Sequence, residues 1–432
     1  MSRRKVRGSI CADVLVVVLG LSSFGAQASF AESPPERMKR LEAALDKQGD
    51  FDLRGAVLGF YEANPCTLSQ SAGSYVSAAR FDELYPDSLW TRTALTIPSN
   101  EDGVLAWHTS QDMLALVSMF QATGEERYLH HAWDLGQSAL AIRDDKIDRP
   151  DFEGDLVAGW GTGHYSAGKR THFLAHTALI VEPILETVAL LEGVHPVTPG
   201  SPLDVTWADA ARRAETVREC REAMAVFDAD YREGPFPDEG HYVSLDEETR
   251  RRYLTEPFNR QTAMAWDYAL VAALTGDEGA LDRSRRLTRF LLHRVEKNDQ
   301  GAFIWSYQAP PIGPNDKPVA QPVLTCEEVS RAYFTVQPID GLYHAGAITK
   351  DELRGFAQTF TENIHDKRYG AFFTSVGCRP SYSRLYRANL EGWLCLSEAD
   401  PAIYTLIRDF MLCNVAEPQA LHLAYLVRYR KR

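Results

Sequence analysis

The run Asn259-Arg260-Gln261 places an amide, a guanidinium and a second amide within one turn at the start of an apolar stretch. Groups of this kind donate hydrogen bonds to a carboxylate, and the guanidinium can do so in a bidentate manner. Phenols and imidazoles that could pass protons flank the run: His241 and Tyr253 before it, Tyr307 after it, and His108, His172 and His176 earlier in the chain. Trp305, Glu327 and Arg331 follow. Aromatic faces, amides and arginines converging on one cleft suit a sugar ring that carries a carboxylate.

Each of these residues also has a plain structural reading. Asparagine is among the best helix N-caps, and Asn259 directly precedes the apolar run. Glu327 and Glu328 precede a helix predicted from Val329, where acidic residues complement the helix dipole. Phe303, Trp305 and Tyr307 alternate as in a short strand with one packed face. His172 and His176 share a helical face at i and i+4, but no glutamate completes a zinc-binding pattern, so neither a metal nor a cofactor is expected. Arg260 is different, because a cation in a first helical turn opposes the dipole.

The elements that must hold these residues repeat along the chain. The predicted helix Thr262 to Leu274 is apolar on every face, whereas Ala280 to His293 has one apolar stripe opposite Asp282, Arg283, Arg285, Arg286 and Arg289. The first is therefore an inner helix and the second an outer one. The same order recurs in His108 to Phe120 with Tyr128 to Leu140, His172 to Leu191 with Trp207 to Phe227, Val329 to His344 with Asp351 to Ile364, and Leu390 to Leu396 with Ala402 to Met411. A final helix lies near Gln419 to Val427. Inner helices that are apolar all round must touch one another, which an open solenoid does not require. The expected fold is all-α, an α/α toroid, closed or incomplete, of about five to six helix hairpins with short β-hairpin loops.

Composition sets the address and the partners. With 432 residues and 45% hydrophobic content, the chain can bury a large core, and no linker divides it. Arg3, Arg4, Lys5 and Arg7, the apolar run Val14 to Leu21 and then Ala26-Gln27-Ala28 form a basic, apolar and small-residue series. That series predicts a secretory signal at residues 1–28, a single domain over 29–432 and a periplasmic or secreted protein. Loss of four basic residues and Asp13 with the signal moves the net charge from −13 to about −16. An acidic exported chain does not seek nucleic acid or an anionic membrane, so an anionic glycan must meet a locally basic cleft. Six cysteines remain, and their scatter reads as buried thiols as readily as disulfides.

Several short motifs, in this order, resemble the α/α-toroid polysaccharide lyases of the broad alginate and chondroitin lyase group. They are Pro257-Phe258-Asn259-x-Gln261, the Thr275-Gly276-Asp277-Glu278 turn, Trp305-Ser306-Tyr307 and Glu327-Glu328-Val329-Ser330. The resemblance implies β-elimination on a uronic-acid polysaccharide of alginate or glucuronan type. Asn259 would neutralise the carboxylate, Tyr253 or His241 would act as base, Tyr307 as acid and His176 in support. Arg260, Gln261, Trp305, His108, His172, Glu327 and Arg331 would contact substrate. Arg260 and Arg331 stand where such lyases commonly carry histidine, and arginine is no base at neutral pH. Two alternatives therefore accompany this expectation. One is a glycoside hydrolase on the same ring, using carboxylates among Asp112, Asp267, Glu327 and Glu328. The other is a non-catalytic glycan-binding protein.

Overall fold

The computed structural model describes residues 75–244, 254–309, 326–367, 371–377, 390–414 and 418–430. The candidate signal at residues 1–28, and Tyr253, lie outside the described residues.

The chain begins with α1 (Ala78–Leu84) and α2 (Asp87–Leu95). A π-turn at Leu105–Thr109 leads into α3 (Ser110–Thr123), which stops at Gly124 with φ 75°. Only glycine adopts that left-handed backbone without strain, so it ends the helix and turns the chain into α4 (Glu126–Ala141). Every residue of α5 (Leu174–Leu191) is buried, whereas α6 (Ala210–Ala225) buries one side and is capped by Asp209. The hairpin of α7 (Phe258–Thr275) and α8 (Glu278–Leu292) turns at Gly276, with φ 71°, and Asp277 caps α8 through the Gly279 and Ala280 N–H groups. Pro338 breaks the next inner element into α9 (Val329–Val336) and α10 (Ile339–His344). The outer α11 (Lys350–Gln358) opens with a capping box of Thr349 and Glu352. A 3-10 helix at Glu391–Glu398, α12 (Ala402–Asn414) and α13 (Ala420–Tyr429) complete the series.

The inner elements pack in a closed circle. α3 lies against α5, α5 against α7, α7 against α9, α9 against the 3-10 helix, the 3-10 helix against α13, and α13 against α3. Around them stand α4, α6, α8, α11 and α12, and the place outside α13 is filled by α1 from the start of the described chain. The fold is thus an α/α toroid, with six inner elements among the described residues, where the apolar periodicity predicts about five to six hairpins. Its 18-residue helix α5 is apolar enough to cross a membrane, yet it is wholly buried as part of the inner wall.

Among the described residues, three small antiparallel sheets decorate this ring. β1 (Tyr231–Glu233), β2 (Gly240–Ser244) and β3 (Leu254–Thr255) form one, β4 (Glu296–Lys297) pairs with β5 (Phe303–Ile304), and β6 (His365–Asp366) pairs with β7 (Ala371–Phe372). Cys220 and Cys395 are buried thiols outside any disulfide, the latter donating to the Val336 carbonyl, whereas Cys326 is disulfide-bonded.

Candidate active site

The starts of the inner helices gather at one end of the ring. Trp107, before α3, meets the His176 ring of α5 edge-on at 5.3 Å, and the Asn259 amide at the start of α7 lies 3.5 Å from the Arg331 carbonyl of α9. Below this level the lumen is filled from wall to wall. Trp107 reaches Phe334 of α9 at 5.5 Å, and the Tyr333 hydroxyl donates to Gln111 of α3. A mouth therefore sits over a packed floor.

One side of the mouth holds a cavity of about 290 Å³ lined by Ser244, Thr255, Glu256, Pro257, Arg260, Tyr307, Gln308 and Arg331. Arg260 donates to Glu256 at 2.7 Å, so the cation at a helix start has its own counter-ion one turn back. Burial works against its charge, but Glu256 and then Tyr307 outweigh burial and hold the guanidinium above its ordinary pKa. The Arg331 guanidinium lies 4.8 Å from the centre of the Tyr307 ring and is half-exposed, with Glu328 3.5 Å away. Two arginines thus flank one phenol in a cleft, each with a glutamate beside it.

His176 stands behind Arg260. Burial first, then Arg260 and His164, lower its pKa to about 3, so its ring is neutral at ordinary pH. The orientation of Asn100 fixes its tautomer. Asn100 Oδ1 accepts from the Ala106 N–H at 3.2 Å and its Nδ2 donates to the Trp160 carbonyl at 2.9 Å, which leaves Nδ2 facing His176 Nδ1 at 3.1 Å. Nδ1 must then accept, and the ring carries its proton on Nε2. His176 is a hydrogen-bond donor here, because its acceptor nitrogen is already engaged.

Not every expected residue reaches the mouth. His241 is buried against Phe290, with ring centres 4.6 Å apart and planes 11° from parallel, and burial ahead of Arg294 and Arg232 lowers its pKa to about 4. It packs under α8, and sequence spacing alone could not tell that side of the sheet from the other. Gln261 is also buried. Its amide oxygen accepts from the Tyr242 N–H at 3.0 Å and its nitrogen donates to the Glu256 carbonyl at 2.6 Å, so it brackets β2 to the start of α7. Trp305 is in the core and donates its indole N–H to Glu327, which is itself fully buried. His172 lies 2.9 Å from Asp144 and anchors a loop. His108 is exposed on the π-turn. Asn259 is not the N-cap, a place taken by Pro257.

Among the carboxylates weighed for hydrolysis, Asp267 and Glu327 are buried, and Glu328 is paired with Arg331. Asp112 remains. It lies in the first turn of α3, just after the π-turn that carries the exposed His108, and burial raises its pKa to about 6. Sequence reasoning passed over Glu256 as a site residue, although its i,i+4 spacing to Arg260 was the available signal. Among the described residues, Asp340 with His344 and Glu398, and Asp151 with Glu153 and Asp155, could hold a metal; neither group includes a residue of this cavity.

Neither a family model nor a curated protein matches the sequence. Solved structures with a related arrangement of helices include an inactive variant of a family 76 α-1,6-mannanase from Salegentibacter, in complex with α-1,6-mannotetrose. That match has a TM-score of 0.44 at 10% identity and covers 75% of this chain and 88% of that one. A family 76 mannosidase from Bacteroides thetaiotaomicron matches with a TM-score of 0.45 at 11% identity, over 81% of this chain and 96% of that one. A second α-mannanase from the same organism gives 0.33 at 14% identity, over 54% of this chain and 59% of that one. None of the three is a polysaccharide lyase. At this distance neither substrate nor residue roles carry across, and the toroid rests on the packing described above.

Proposed function

We propose that the chain is an exported enzyme that hydrolyses a uronic-acid-bearing glycan in the mouth of the ring. The observation that carries this reading is the cavity in which Arg260 and Arg331 flank Tyr307, a built receptor for a sugar carboxylate. Asp112 supplies the acid. A carboxyl with a pKa raised to about 6 still carries its proton in mildly acidic solution and can give it to the departing glycosidic oxygen. Glu256, held by Arg260, is the second carboxylate and takes the proton of the attacking water. The disulfide at Cys326 supports an oxidising compartment.

β-Elimination is the second reading, and the same two arginines favour it. Cations that neutralise a uronate carboxylate stabilise the carbanion-like state formed when the neighbouring proton leaves, and Tyr307 between them would carry protons. It ranks second because, of the other residues assigned to that chemistry, His241 is packed in the core and His176 presents an N–H.

A panel of alginate, glucuronan, glycosaminoglycans and α-1,6-mannan separates the readings. Hydrolysis releases reducing ends without a gain in near-ultraviolet absorbance, and Asp112→Asn abolishes that release while the melting temperature is kept. An absorbance gain on a saturated polyuronide would move the assignment to the lyase. Release from neutral mannan alone would remove the role given to the arginines.

A further inference from the structure

The loop between α4 and α5 is tied down more heavily than a connector requires. At its base the buried Asp144 accepts from the Gly161 N–H at 2.9 Å and from Arg170 at 2.6 Å, with His172 also at 2.9 Å. Thr162 and Thr171 form an antiparallel bridge with N–H···O distances of 2.9 and 3.1 Å. The Thr162 hydroxyl also donates to the Glu101 carbonyl. The tip turns through Ala167 at φ 52° and Gly168 at φ 86°, and a non-glycine residue in that region is strained. What this frame presents is Tyr165.

Tyr165 is 49% exposed, the only tyrosine among the exposed large apolar side chains of the described residues. Its ring neighbours His164, Phe173 and His176 lie 4.6, 5.9 and 5.4 Å away with planes at 81°, 88° and 75°, so all three meet it nearly perpendicular. Among the described residues no ring stacks flat on it. Gly103, at φ 74°, allows the approach on one side. A Cβ there would stand 2.8 Å from Trp107 Cδ1 and 3.4 Å from Tyr165 Cε2. His176, at the start of α5, meets both Tyr165 and Trp107, which places this ring at the mouth.

We propose that Tyr165 is the platform of a separate sugar subsite, taking the C–H face of a pyranose ring that neighbours the sugar held by Arg260 and Arg331. A pyranose has the flat apolar face that an open, immobilised aromatic ring accepts. Preorganisation by Asp144 and the threonine bridge lowers the entropy lost on stacking. The inference rests on the reading of the mouth as a glycan cleft.

The test compares wild type with Tyr165→Ala and Tyr165→Phe on oligosaccharides of increasing length from the polymer that wild type attacks. Direct binding is measured by calorimetry alongside turnover. In Tyr165→Ala, KM for the longer oligosaccharides should rise about tenfold, with kcat, the shortest substrate and the melting temperature unchanged. Tyr165→Phe should behave as wild type. Equal KM values at every length overturn the subsite while the enzymatic reading stands. If wild type binds oligosaccharides without cleaving them and Tyr165→Ala loses that binding, the subsite stands and the enzymatic reading falls. If no glycan is bound or cleaved, both fall.

Discussion

Glu327 shows how a residue that looked like a substrate contact is used for packing. Its carboxyl is fully buried, one oxygen accepts from Trp305 and from Thr335 at 2.8 Å, and the other has no partner. Burial, ahead of those two hydrogen bonds, raises its pKa to about 8, so the unpartnered oxygen carries a proton at neutral pH. Its sign in stability follows. Between the usual 4.5 and about 8 the folded state holds a proton that the unfolded state has released, so this group lowers stability as pH rises through that window. Glu327→Gln keeps the acceptor and the shape. Its melting temperature relative to wild type should climb from pH 5 to pH 8, whereas Glu327→Ala should lose roughly 1–3 kcal/mol by denaturant titration. A flat difference across that range would show an ionised Glu327. Asp112 gives the matching functional prediction. An acid with a pKa near 6 works in its protonated form, so kcat/KM should fall as pH rises through about 6, and Asp112→Asn should lower kcat at least about a hundredfold.

Between residues and ring, the elements explain what could be read in advance. Inner and outer helices were legible because an all-round apolar helix and a one-stripe helix have different periodicities, and Gly124 and Gly276 mark the hairpin turns. Arg260, Arg331 and the amide of Asn259 were legible as a group because they sit at the starts of consecutive inner elements, with Tyr307 in the loop between them. Burial of His241, Gln261, Trp305 and Glu327 was not legible. His241 lies on β2, whose first four residues are all buried and so show no alternation, Gln261 lies inside α7, and Trp305 and Glu327 lie just outside β5 and α9, where no periodicity marks a face. Asn100 was missed because its effect on His176 acts across 76 positions of sequence. Close approach between inner elements was equally hidden. A Cβ at Gly392 would overlap the Tyr333 ring, so glycine is what lets the 3-10 helix close on α9. Gly392→Ala should cost about 1–3 kcal/mol in chemical denaturation, with Tyr333 forced from its bond to Gln111. An unchanged midpoint would mean that the two elements separate freely.

At the scale of the molecule, closure distinguishes a toroid from a row of hairpins. In a row, each repeat contacts only its neighbours, and loss of a terminal repeat leaves the others folded. Here the first described helix, α1, covers the last, α13, whose residues Leu421, Leu423, Tyr425 and Leu426 are buried. Two hydrogen bonds seal the join: Arg430 donates to the Val76 carbonyl at 3.1 Å, and the Tyr85 hydroxyl donates to the Pro418 carbonyl. Because α13 also packs on α3, uncovering it loosens the element that carries Asp112. Removing residues 1–95 should therefore abolish the single cooperative thermal transition and destroy activity, and Arg430→Ala should lower the melting temperature without broadening the transition. Calorimetry on the three proteins checks this. A truncated chain that still melts in one sharp transition, shifted by only a few degrees, would mean that the inner helices hold together as an open arc.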